Sequence, residues 1–141
     1  MSSESVRRLW RIAATAFLNA ALVLNAVPAA AAQPTSTLSV WIDGWGSGTV
    51  TSTPAGINCT MTSSDGNPWE NENWNQTLSG SCHASFAVGT LVTMTATPAA
   101  DSHLNGSDCG GPSGNPCSRT ITSGYNAAWA MFCPRDDLCS A

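Results

Sequence analysis

A small all-β domain stapled by disulfides is what this chain predicts, and three observations predict it. Several short stretches alternate apolar and polar residues with a period of two, each bounded by Gly, Pro, Asn or Asp. No segment carries apolar residues at helical spacing over three turns. Six cysteines lie between residues 59 and 139, and an even number of cysteines behind an export-type leader reads as a disulfide framework.

The leader is MSSESVRRLWRIAATAFLNAALVLNAVPAAAAQP. Arg7, Arg8 and Arg11 form its basic region, residues 12–27 carry no charge, and Pro28 with the following alanines offers small residues to a signal peptidase. Residues 1–32 are therefore expected to be a signal peptide cut after Ala32, the alternative being an uncleaved membrane anchor. Residues 33–141 are expected to form one secreted, extracellular domain, because 109 residues suffice for one modest core and not for two. That part holds two arginines (Arg119, Arg135), no lysine and eight acids, a net charge of −6. Such a surface repels phosphate backbones, so neither nucleic acid nor, once the leader is removed, a membrane is an expected partner.

The first strand is expected over 38–43, with Leu38, Val40 and Ile42 on one face and Ser39, Trp41 and Asp43 on the other, and the GWGSG that follows is a turn. A second strand is expected over 49–52, ended by Pro54 and Gly56. The segment between Cys59 and Cys82 is read as a long polar insert (60–81) with turn chemistry at DGNP. HASF, 83–86, is a short extended piece. TLVTMTATP, 90–98, is the strongest strand signal, with Val92, Met94 and Ala96 facing the core and Thr93, Thr95 and Thr97 facing out. Glycines and prolines crowd the end of 99–117, which is read as loop. Strands over 119–122 and 127–132 close the domain.

Six cysteines allow fifteen pairings; local spacing favours Cys59 with Cys82, Cys109 with Cys117 and Cys133 with Cys139, the last closing the tail 133–141. Zinc is disfavoured, because no C-x-x-C pair or closely spaced histidine set is present. No metal and no cofactor is expected. Asp65, Asn67, Glu70 and Glu72 supply oxygens but lack EF-hand spacing.

GSGTVTSTPAGINC, then CHASFAVGTLVTMTATPAADS, then a Cys-bracketed loop and a last strand ending in Phe132 together resemble one unit of the divergent internalin-type B-repeat, the bacterial repeat domain. The resemblance covers residues 38–132. It implies a β-rich module of exported bacterial proteins, with a sheet of β-grasp-like or sandwich-like type, used for architecture and contact and bringing no catalytic residues. The chain departs from the pattern in three places. Repeats keep the first two cysteines close, so the insert is this chain's own; LNGSDCG places Leu104 and Ser107 where Phe and Trp usually stand; and CPRDDLC adds a third cysteine pair.

The resemblance also implies that Trp41, Trp129 and Met131 occupy places usually held by outward threonines. If the first and last strands are neighbours, Trp41 and Trp129 share a face, and two readings of the insert stay open. Either Trp69 and Trp74 fold over that face as a lid, or the rings stay open as stacking platforms, with Asn71 and Asn73 supplying hydrogen bonds to a sugar. His83 beside Cys82 suggests a thiol enzyme only if the thiol is free, and neighbouring strand residues point to opposite faces. The expectation is a secreted, non-catalytic structural or binding module whose partner is an extracellular glycan or protein. The alternatives are a carbohydrate-binding protein using the Trp-containing loop and, third, a small secreted hydrolase or inhibitor.

Overall fold

A computed structural model of the chain describes residues 32–64, 69, 72–108, 114–136 and 139. The expected signal peptide falls outside these residues except for Ala32, and Ala32–Ala141 forms one compact unit. The alternating stretches form nine strands among the described residues: β1 (Thr35–Asp43), β2 (Gly48–Thr53), β3 (Asn58–Ser63), β4 (Gln76–Ser81), β5 (His83–Ala87), β6 (Leu91–Pro98), β7 (Ser102–Ser107), β8 (Cys117–Thr120) and β9 (Asn126–Pro134). No described residue is α-helical.

The strands build two sheets. Sheet A has the order β5-β1-β9-β7, and sheet B the order β4-β3-β2-β6-β8. Within sheet A the first and last strands run parallel, and every other pairing in the two sheets is antiparallel. A strand sends alternate side chains to opposite faces, so each sheet contributes one apolar face to a shared core. Leu38, Val40, Phe86, Ala128, Ala130 and Phe132 come from sheet A, and Val50, Cys59, Met61, Val92, Met94 and Ala96 from sheet B. Of the two architectures the resemblance implies, the two-sheet sandwich is the one adopted, while the adjacent parallel first and last strands are a feature of grasp-like sheets.

The expected inward residues Val92, Met94 and Ala96 are all buried. Ile42, also expected inside, is partly buried against the core. Gly48 begins β2 directly under the ring of Phe132: a Cβ there would lie 2.5 Å from that ring. Asn126, buried at the start of β9, takes the N–H of Thr122 on its carbonyl (2.9 Å) and gives its amide hydrogens to Thr122 O (3.0 Å) and Gly124 O (2.9 Å). Those bonds close the turn that sets the register of β9 against β1.

Two expectations are corrected. The span 60–81 is not a loop throughout, because β3 runs on to Ser63 and β4 pairs with it from Gln76. The hairpin is extended by Ser64 N–H donating to Asn75 O (2.8 Å) and Asn75 N–H donating to Ser64 Oγ (2.7 Å). The polar composition hid these strands: β4 is an edge strand with all six residues exposed, so nothing in its sequence has to be apolar. The span 99–117 likewise contains β7, whose Ser102 and Leu104 are buried. The strand expected over 119–122 lies two residues earlier, at Cys117–Thr120.

Cys59 bridges Cys82, and Cys133 bridges Cys139, as the local spacing predicted. Cys117 is also disulfide-bonded; its expected partner Cys109 lies outside the described residues. Such bridges are compatible with a location outside the reducing cytoplasm. Cys82 sits at the corner where the chain leaves sheet B after Ser81 and enters sheet A at His83, so the Cys59–Cys82 bridge ties that corner back to β3.

Candidate functional site

The pairing of β1 with β9 places Trp41 directly beside Trp129. Val40 and Ala128, one residue earlier on each strand, are buried in the core, so both indoles project from the outer face of sheet A. Trp41 is 60% exposed and Trp129 39%. The sequence therefore anticipated correctly that the two rings share a face once the strands are neighbours.

Among the described residues no lid covers that face, where Trp41 and Trp129 stay exposed. The insert extends the β3–β4 hairpin of sheet B, on the other side of the core, and Trp69 is 85% exposed. Trp74 is half-buried, with an indole nitrogen that is shielded from solvent and has no hydrogen-bond partner among the described residues. Asn73 is exposed, and Asn71 lies outside the described residues. Of the six residues expected to bind, the structure brings together Trp41 and Trp129, while Trp69, Trp74 and Asn73 belong to the insert.

Trp129 does not stand away from the sheet. The edge of its six-membered ring reaches sideways onto β7 and abuts Gly106, where a Cβ would come within 2.8 Å of Cη2 and 3.1 Å of Cζ3. Only a residue without a side chain leaves room for the ring. The β7–β9 register shifts between Leu104 and Gly106, an irregularity of the kind that re-aims side chains at sheet edges. One residue past β7, Asp108 continues the pairing with Trp129. Its N–H donates to Trp129 O (3.3 Å), and its Oδ2 accepts from Trp129 N–H (3.1 Å) and from Arg119 Nη2 (3.3 Å). Arg119 reaches across from β8 of sheet B, so this ion pair spans the open side of the sandwich. With the arginine 41% exposed it contributes little to stability, of the order of 0–1 kcal/mol.

Apart from Met131, the neighbours of the rings named here are polar or small. His83 Nδ1 lies 3.0 Å from Ser39 Oγ. Asn105 donates to Met131 Sδ (3.6 Å) and to Cys139 O (3.2 Å), which holds the disulfide-closed tail against the strands. Sequence reasoning missed Gly106, Asp108 and Arg119. The one signal for Gly106 was its place in the LNGSDCG stretch, where the usual tryptophan is absent.

The Cys82 sulfur is held in its bridge, and among the described residues no group of three His, Cys, Asp or Glu side chains converges. The calcium donors Asp65, Asn67 and Glu70 lie outside the described residues, and Glu72 is exposed. A cavity of about 20 Å³ beneath Trp129 and Asp108, lined by core residues such as Val40 and Met94, is about the size of one water. A shallow groove of about 440 Å³ on sheet B is lined by strand threonines including Thr49, Thr60 and Thr97, with Asp101 its one titratable group. Among the described residues no helix is long and apolar enough to cross a membrane. No family model matches the chain, and no characterised protein or solved structure is found to be similar to it.

Proposed function

We propose that the mature chain is an exported, non-catalytic module of the internalin B-repeat kind, which acts by contact outside the cell through the outer face of sheet A. The observation that carries this reading is the Trp41–Trp129 pair, two large rings held side by side on the central strands and left exposed. Exposed aromatic neighbours on a rigid sheet are costly for solubility and are characteristic of recognition surfaces. The disulfides and the basic, apolar and small-residue order of the leader support an extracellular setting. The partner is an extracellular glycan or protein.

The test is a panel of immobilised glycans and extracellular-matrix proteins probed with the mature protein and with its Trp41→Ala/Trp129→Ala variant. The expected result is that the parent binds at least one member of the panel and the variant binds it at least about tenfold more weakly. The variant should unfold near the parent temperature, since neither ring belongs to the core cluster. No binding to any member, or binding indifferent to the loss of both rings, would overturn the proposal.

A further inference from the structure

We infer that the Trp41–Trp129 face binds an uncharged saccharide chain built of pyranoses with equatorial hydroxyls, with Trp129 as the stacking platform and the Asp108–Arg119 pair as a hydrogen-bonding rim. This rests on the outer face of sheet A being the contact surface and adds what occupies it.

The size of the aromatic patch decides between a glycan and a protein. A tryptophan side chain offers 150–250 Å², so rings 60% and 39% exposed present on the order of 200 Å² together. A stable protein interface takes about 800 Å² from each partner. The one large apolar side chain beside the rings among the described neighbours is Met131, part-buried under Asn105, and the other neighbouring groups are Gly106 and the Ser39–His83 pair. A patch of this area suits one or two sugar rings.

The posture of Trp129 points the same way. The Cη2–Cζ3 edge of the indole abuts Gly106, which fixes the ring beside β7 while the residue stays 39% exposed. A gluco-configured pyranose has faces made only of C–H groups, because its hydroxyls lie around the equator. Such a sugar can lay its apolar face on the ring while its hydroxyls reach outward to polar groups at the border.

The ion pair is placed to receive those hydroxyls. Asp108 Oδ2 is occupied by Trp129 N–H and Arg119, while Oδ1 has no partner among the described residues and accepts from a hydroxyl. The arginine is fixed by one bond and keeps further N–H donors for sugar oxygens. Because that guanidinium is already paired and the mature chain carries −6, an acidic sugar would meet net repulsion. The ligand is therefore uncharged.

The experiment is a tryptophan-fluorescence titration of the mature protein with cellohexaose, chitohexaose and, as the acidic counterpart, hexagalacturonic acid. Quenching or a spectral shift is expected with at least one neutral hexasaccharide and not with the acidic one, and it should change little when salt is raised. Trp129→Ala should weaken binding by at least about tenfold. Arg119→Gln, at a surface position, should weaken it severalfold without altering the melting temperature, which keeps the test open if the tryptophan variant folds poorly. A protein that responds to neither neutral hexasaccharide overturns this inference. If the panel still registers a partner lost on removing both rings, the contact surface stands and only the sugar falls; if it registers none, both fall. Binding that survives Trp129→Ala, or that favours the acidic chain, also overturns it.

Discussion

Phe132→Ala should lower the unfolding free energy by about 3–5 kcal/mol, the usual cost of removing a fully buried aromatic ring. Its side chain is completely buried at the end of the run Ala128, Ala130, Phe132 that β9 turns toward sheet B. The ring fits against Gly48 so closely that a Cβ would sit 2.5–2.6 Å from three of its carbons. Deleting it opens a cavity between two sheets whose other contributions from β9 are alanines, which cannot expand to fill the space. Gly48→Ala attacks the same contact from the opposite side, by overpacking, and should cost about 1–3 kcal/mol. Against a total of roughly 5–15 kcal/mol for a domain, the first substitution alone brings the protein near its folding limit. Urea unfolding followed by near-ultraviolet circular dichroism measures both. A loss below about 1 kcal/mol for Phe132→Ala would mean that the sheets do not meet over this ring.

The strands that were legible in advance are those whose sequence has to serve two environments at once. Leu91–Pro98 reads Val, Thr, Met, Thr, Ala, Thr because one face meets the core and the other meets water, and the structure follows that alternation residue by residue. The strands that were not legible serve one environment or a mixed one. In β4 every residue is exposed, so Gln, Thr and Ser can stand anywhere in it, and its pairing is set by β3 and by the corner at Cys82. Within β7 the irregularity at Leu104/Gly106 breaks the alternation that would have marked it. Leu104 nonetheless takes a core place.

The site was legible in part for the same reason. Trp41 and Trp129 stood out because each occupies the outward phase of an otherwise regular alternation, and the phase alone says that they share a face once the strands are adjacent. Nothing local says how a ring leans. The tilt of Trp129 depends on Gly106, on a different strand, and the rim depends on Asp108 and Arg119, which come from different sheets. The expectation of a lid failed for a related reason: the insert's destination is fixed by the long ladder between β3 and β4, and that ladder was not visible in its polar composition.

Replacing Cys59 and Cys82 together by alanine should cost about 3 kcal/mol, because the bridge closes the longer of the two described rings, with a sequence separation of 23. The same treatment of Cys133 and Cys139, separated by 6 residues, should cost about 1 kcal/mol less on chain entropy alone. The structure adds a reason to expect a large effect for the first pair. Cys59 is fully buried, and Cys82 marks the corner where the chain passes between sheets, its carbonyl accepting from Val40 N–H at 2.8 Å. Without the bridge, β5 would be held to the rest of the fold by its ladder with β1 and the packing of Phe86, and β4 by its ladder with β3. If those ladders alone fix the corner, the Cys59→Ala/Cys82→Ala protein should melt like the parent while the Cys133→Ala/Cys139→Ala protein melts lower, and the entropic ordering fails. If the bridge fixes it, the first variant melts lowest, and hydrogen exchange should quicken first in β4 and β5, leaving the β1–β9 pair that carries Trp41 and Trp129 protected to a higher temperature.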